Sequence, residues 1–375
     1  MNFELSEEQK LLQDSVARFV KDNYELEKRS KLVATRQGYS DEHWQTMAEL
    51  GWLSLPFPEA QGGFGGNQID TMVVMEQLGK GLVLEPFFAS VVLGGGVLKR
   101  AANDAQLAAL VPGVIDGTKL LTLAYAEEQA RFDLHDVVTT ARPDGDGFVL
   151  NGRKSMVANA ATATHLIVSA RTSGGQIDEQ GISLFLVETG AAGLTLDSFP
   201  TVDGLRASEI RLENVRVGRD DLIGGLDGGF TVLNATANDA ILALAAEAVG
   251  CMEVLYKDTV AYTQEREQFG HPLSDFQVLQ HRMVEMFMEY EQCKSLLYRA
   301  TLEAAQGDTA EAQRAIHALK HMVGRTGTFI AENAVQLHGG MGMTEELRVG
   351  HYFKRLLVID AQFGNADYHL QKFAA

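Results

Sequence analysis

Cys251 and Cys293 are the only cysteines in 375 residues. They are too few for a disulfide framework and are not spaced as metal ligands, which sets aside both kinds of cysteine chemistry. No apolar run approaches the ~20 residues needed to span a bilayer. The N-terminus, MNFELSEEQKLL, carries acidic residues and no apolar signal core, so secretion is not expected and a cytoplasmic protein fits best. Positive charge is also scarce: 32 Lys and Arg stand against 50 Asp and Glu, for a formal charge of −18. That balance opposes binding to a polyanion, so no nucleic-acid partner is expected. It leaves room for a phosphate-bearing small molecule, because a helix terminus acts locally. Low-complexity tracts are absent, and the length allows two or three domains with ample core.

The first third reads as helical. Ser6 and Gln9 form a capping box, and Phe3, Leu5, Leu12, Val16, Phe19 and Val20 recur at helical spacing. Ser40 caps a helix carrying Trp44 and Met47, Asp70 begins another through Leu78, and Pro86 opens a further one through Leu93. Gly62 to Gly66 lacks the lysine and hydroxyl of a phosphate-binding loop and reads as a mobile connection.

From Leu120 the apolar period changes to two. Leu121 to Tyr125, Val137 to Arg142, Phe148 to Leu150, His165 to Ala170, Ile182 to Val187, Leu194 to Leu196 and Glu209 to Leu212 read as strands. Asp144 to Gly147 and Asn151-Gly152 read as hairpin turns. Many short strands at close intervals predict a compact β-sandwich or barrel.

Long helical patterns then return, over Gly229 to Glu265, Asp275 to Gln306, Thr309 to His338, and from Thr344 onward. Asp275 is placed to cap the second, and the methionines, including Met322, Met341 and Met343, read as core filler. Four helices joined by short turns predict a four-helix bundle. The fold class is therefore α+β multidomain, with a helical domain over 1–118, a β-domain over 119–228 and a bundle over 229–375. Between the last two bundle helices lies Gln336-Leu337-His338-Gly339-Gly340-Met341-Gly342. A glycine pair at a helix end supplies backbone with positive φ and exposed N–H groups, which suit a phosphate or another polar part of a cofactor.

Helices, a β-domain and a bundle, in that order, resemble the acyl-CoA dehydrogenase family over nearly the whole chain. The resemblance rests on Tyr262-Thr263-Gln264-Glu265-Arg266-Glu267-Gln268-Phe269-Gly270, on Phe276-Gln277 and on the Gln336 to Gly342 turn. Asn151-Gly152-Arg153-Lys154 and Gly204-Leu205-Arg206 add weaker matches. It implies FAD as cofactor, an acyl-CoA substrate desaturated between its α and β carbons, a tetramer, and an electron-transfer flavoprotein as acceptor. It also implies an FAD site shared between subunits, in which the bundle of one chain holds the ADP half for its neighbour. By that resemblance the ADP half falls to Arg266, Gln268, Phe269, Gln277, Gln336, Gly339 and Gly340. A guanidinium beside a diphosphate supplies fixed, paired donors.

Elsewhere the chain departs from the pattern. The family's base is a glutamate in a Tyr-Glu-Gly-Thr segment, and the matching stretch here is Phe363-Gly364-Asn365-Ala366, which puts glycine at the base position. Relatives that carry the base on the first bundle helix have it where this chain has Ala240, followed by Ile241. Asp239 is one residue away, about 100° around the helix. In the half that holds the flavin ring, Ala126 and Phe132 replace hydroxyl residues, Met156 replaces a tryptophan and Ala158 a threonine.

Keeping one half-site and losing the other implies a subunit that completes the FAD site of a paralogous partner. MNFELSEEQ, Val91 to Gly96, Thr172 to Gly175, Val349 to Arg355 and Phe363 to Asp367 resemble the small subunit of pimeloyl-CoA dehydrogenases, which implies a dicarboxylyl or otherwise bulky acyl-CoA. Two other readings stand beside this one. In the first the chain is self-sufficient, with a displaced carboxylate such as Asp239 as base; in the second it is a non-redox binding protein on the same fold.

Overall fold

The computed structural model describes residues 4–375, so Phe3 of the first apolar series lies outside the described residues. The described chain divides into two compact units. One gathers the chain up to Lys31, Gln68–Val83 and Ile241–Ala375; the other gathers Leu32–Asn67 and Leu84–Ala240.

In the N-terminal part the helices are α1 (Glu7–Asn23), α2 (Leu26–Val33), α3 (Asp41–Glu49), α4 (Gln68–Gly81), α5 (Gly95–Ala101) and α6 (Asp104–Ile115). The predicted capping box opens α1, with Ser6 Oγ accepting the Gln9 N–H and the Gln9 side chain accepting the Ser6 N–H. Ser40 caps α3 through the His43 N–H. Phe88–Gly94, expected as ordinary α-helix, is a π-helical turn running into α5. The Gly62 to Gly66 stretch is tethered rather than a mobile connection. Its Gly65 and Gly66 N–H groups donate to Phe57 O (2.8 Å) and Leu55 O (2.7 Å).

The β-rich middle comprises β1 (Leu121–Ala124), β2 (Thr140–Asp144), β3 (Gly147–Ala158), β4 (His165–Arg171), β5 (Ile182–Glu188), β6 (Leu194–Pro200), β7 (Arg206–Val217) and β8 (Leu222–Ile223). They pair in the order β6-β7-β3-β2-β4-β5-β8, with β1 parallel to β4. The sheet folds over on itself: Phe148 of β3 and Phe185 of β5, with two strands between them in that order, have ring centroids 5.1 Å apart. Leu150, Leu166, Val168, Ile210 and Leu212 share the enclosed core.

Two readings of this region change. Val137 and Val138 precede β2, and Asn151-Gly152 is no hairpin but a register shift inside β3. Asn151 Oδ1 accepts the Asn214 N–H at 2.9 Å, so the asparagine fastens β3 to the neighbouring β7 instead of turning the chain.

In the C-terminal part, α7 (Gly229–Glu265) leads through the short strands β9 (Glu267–Gln268) and β10 (His271–Pro272) into α8 (Gln277–Ala305), α9 (Ala310–His338), α10 (Val349–Ala361) and α11 (Ala366–Ala374). Thr309 caps α9. Asp275 does not cap α8. It belongs to the tight turn Leu273–Asp275, one residue too early, and Phe276 stands at the cap without a side-chain bond. The fourth helix starts at Val349 rather than Thr344, and Gly364 separates it from α11, a fifth. α9 packs on α8, α10 and α11, and a buried bidentate pair, Arg355 to Glu247 at 2.6 and 2.7 Å, ties α10 to α7. Met283 and Met286 fill core, whereas Met341 and Met343 are exposed, contrary to their reading as filler.

Candidate functional site

The two glycine-containing motifs of the last third come together at one end of the bundle. Past α7 the chain reverses through Phe269 and Gly270, whose φ of 57° and 83° give the two left-handed residues of a tight hairpin between β9 and β10. The reversal leaves Phe269 90% exposed, in edge contact with Phe276 (centroids 6.3 Å apart). Arg266 is exposed, and its guanidinium has no partner among the described residues. The Gln268 amide donates to Glu267 O, and Gln277 is exposed at the start of α8.

At the end of α9, Gly339 has φ 61° and ψ −140°, a conformation available to glycine and strained for other residues. Its N–H is not free as the sequence implies, because it donates to Gln336 O. What the turn offers is the exposed Gln336 side chain and open backbone, since a Cβ added at Gly339 or Gly340 would meet nothing within 4 Å. The two motifs touch through Tyr262 and His338, whose rings stack with centroids 4.3 Å apart. An exposed guanidinium without a partner among the described residues, on a motif that touches an unobstructed glycine turn, fits a diphosphate-bearing group.

In the β-domain the segments matched to the flavin-ring half are built for internal cohesion. Glu127 is buried and bonds Lys154 Nζ (2.6 Å) and the N–H groups of Val138 (2.8 Å) and Thr139 (3.2 Å). Burial pushes the Glu127 carboxyl up, but the Lys154 ammonium and these donors hold it below the usual carboxylate range. Met156 is exposed with φ 54°, and its N–H donates to Glu209 Oε1 at 3.3 Å. No hydroxyl stands at Ala126, Phe132, Met156 or Ala158, and the Met156 N–H is already engaged by a carboxylate. The side chains at these four positions therefore offer no hydroxyl to a polar ring edge.

Gly364, the position matched to the base, is closed as well as empty of a functional group. It is buried with φ 109°, and a Cβ there would lie 2.5 Å from Tyr368 Cδ1 and 2.7 Å from His369 Nε2. Lys320 Nζ donates to the carbonyls of Gly364 (2.7 Å), Asp360 (2.8 Å) and Ile359 (2.9 Å), gathering the end of α10 around a buried ammonium. Burial lowers the Lys320 pKa to about 8. His369 is itself committed. Its Nε2–H donates to Phe363 O at 2.9 Å, which leaves Nδ1 to accept from His317 Nδ1–H at 3.0 Å. With both nitrogens engaged, the imidazole has no lone pair for substrate.

Asp239 is paired with Arg100, and Lys99 stands near both. The Asp239 carboxylate is thus engaged by a neighbouring guanidinium. Ala240 and Ile241 are buried. Sequence reasoning named Gly364 but missed His317, Lys320, His369 and Glu209. The one signal for His317 and Lys320 was two basic residues at helical spacing on α9, which spacing alone does not separate from a solvated stripe.

Among the described residues no helix is long and apolar enough to cross a membrane. The chain matches three family descriptions in sequence: Acyl-CoA dehydrogenase, N-terminal domain, over residues 6–118; middle domain, over 122–215; and C-terminal domain, over 227–375. It is 31% identical over 374 residues to "Probable acyl-CoA dehydrogenase YngJ" of Bacillus subtilis, covering 98% of this chain and 97% of that one. Among solved structures it is similar to a variant of the "Tcur3481-Tcur3483 steroid ACAD" (TM-score 0.88, 29% identity, 98% of this chain and 97% of that one). It is also similar to the "FAD complex of PigA" (TM-score 0.91, 26% identity, 100% of this chain and 98% of that one). The three-domain architecture, the motifs at the bundle end and full-length similarity agree: this chain belongs to the acyl-CoA dehydrogenase family.

Proposed function

We propose that the chain is a subunit of a FAD-dependent acyl-CoA dehydrogenase that holds the ADP half of a flavin site for a paralogous partner and has no catalytic base of its own. The observation that carries this reading is the contrast between its two half-sites. Arg266, Gln268, Phe269, Gln277, Gln336, Gly339 and Gly340 are all exposed, whereas Gly364 is sealed and the Met156 N–H is already bonded. In this role Arg266 and Gln336 bind and orient the diphosphate, and Phe269 covers apolar surface of the group or of the partner that carries it. When bound, FAD accepts a hydride from the β-carbon of the acyl-CoA. The base that takes the α-proton belongs to the partner.

The wider reading follows the same logic. The assembly is a cytoplasmic tetramer that passes electrons to an electron-transfer flavoprotein, and this chain corresponds to the small subunit of pimeloyl-CoA dehydrogenase-type enzymes acting on a bulky acyl-CoA. Its domains are 1–118, 119–228 and 229–375. A steroid ACAD named for two components is among the similar structures, which supports a two-chain assembly.

The test is to purify the chain alone and co-expressed with a paralogous chain, counting FAD and measuring turnover in each. Turnover and stoichiometric FAD are expected only in the co-expressed assembly. Full activity of the isolated chain overturns the proposal, and an assembly that never acquires flavin absorbance favours a non-redox binding protein.

A further inference from the structure

Asp258 and Tyr262 lie four residues apart on α7, and Arg266 follows at the same spacing one residue past the helix end, which continues their stripe. The first two are committed to the segment that carries the glycine turn. Asp258 takes a bidentate bond from Arg348 (2.5 and 2.6 Å), just before α10. Tyr262 stacks on His338 at an interplanar angle of 26°, and its hydroxyl donates to His338 O at 3.4 Å. That oxygen belongs to the peptide joining His338 to Gly339, so the phenol lies against the peptide from which the turn departs. His338 is held from its other side, with Nδ1–H donating to Ala334 O at 2.7 Å, and is only 5% exposed. Arg266, whose N–H donates to Tyr262 O at 2.8 Å, is the member of the stripe left without a partner among the described residues.

We propose that Tyr262 and His338 are positioning residues, a clasp that sets Arg266 against the Gln336–Gly340 turn and thereby tunes affinity for the diphosphate of FAD. The inference rests on the half-site reading above. Neither residue touches the cofactor. The stack holds α7 and the end of α9 in one register, and the hydroxyl orients the first peptide of the turn. Without the stack, Arg266 keeps its charge, but the backbone that carries it is no longer set beside the turn, and placement decides the strength of a two-point contact.

The experiment is a double-substitution cycle in the flavin-loaded assembly this chain forms, reading FAD dissociation and the ³¹P spectrum of the bound diphosphate. Tyr262→Leu should weaken FAD about tenfold and Tyr262→Phe about two- to threefold, in line with the worth of one aromatic pair and one neutral hydrogen bond. Both should shift the phosphorus resonances. On an Arg266→Ala background the Tyr262 substitutions should cost little more, because the group they place is gone. Full additivity, or unchanged FAD affinity in both Tyr262 variants while Arg266→Ala weakens it, overturns the clasp alone. Arg266→Ala without effect overturns the half-site reading and the clasp with it. Tyr262→Phe keeps the ring, so the cycle stays readable if Tyr262→Leu does not fold.

Discussion

His369 shows how far a single side chain is constrained by its neighbours. It is 1% exposed, wedged between Phe363 O and His317, with Lys320 and Lys372 adding positive charge, and burial first of all drives its pKa from 6.5 to about 3. Between those two values the unfolded chain binds a proton that the folded chain refuses. Stability therefore rises with pH through the window, is complete above about 6.5 and is lost progressively as pH falls toward 3. Gln at 369 can donate to Phe363 O and accept from His317 but cannot titrate. His369→Gln should flatten the acid limb of the unfolding free energy by up to about 1.4 kcal/mol per pH unit. Urea denaturation of both proteins from pH 7 to pH 4 checks this, and parallel curves would remove His369 from the account. Arg266 and Gln336 were legible in sequence because short contiguous motifs carry them. His369 was not, because its role exists only once α11 folds back on α9, and no local pattern announces that contact.

Among the elements, the β-domain depends on a polar core as well as an apolar one. The Glu127 and Lys154 side chains are 1% and 0% exposed, and together they join the segment after β1, the approach to β2, and β3. Lys154→Met should cost about 3–5 kcal/mol, because it strands a buried carboxylate. Adding Glu127→Gln should recover a good part of that loss, as removing both charges avoids the orphan. Chemical denaturation of the single and double variants gives the answer, and a double variant as unstable as the single would show that the loss is steric. At this scale the sequence was read well wherever a period was long: α7 runs Gly229–Glu265 as expected. It was misread where one residue type has two uses. Asn151-Gly152 has the chemistry of a hairpin turn, but here the asparagine spends its side chain on β7. Asp275 has the chemistry of a cap but sits in a preceding turn.

For the whole molecule, the excess of acidic residues governs encounters with other polymers. A formal charge of −18 should carry the purified chain through a heparin column unretained at 50 mM salt, while an anion exchanger holds it. Retention on heparin would point to a concentrated basic surface that the overall charge conceals. The order of helices, sheet and bundle was legible from changes of period, because a two-residue and a 3.6-residue repeat bury different faces. The closure at Gly364 was only partly legible: the absent side chain could be read off the sequence, but the packing of Tyr368 and His369 into its place could not.

That filling has a consequence over evolutionary time. Gly364 has no room for a side chain, its carbonyl is a ligand of a buried lysine, and its neighbour's imidazole stands where a Cβ would point. A lone mutation from glycine to glutamate therefore meets occupied space. Placing a carboxylate there requires His369, Lys320 and the end of α10 to change together, with each step alone costing stability. On the proposed reading this closure acts as a ratchet: a chain that relies on a partner's base and has closed this position has no single-step way back.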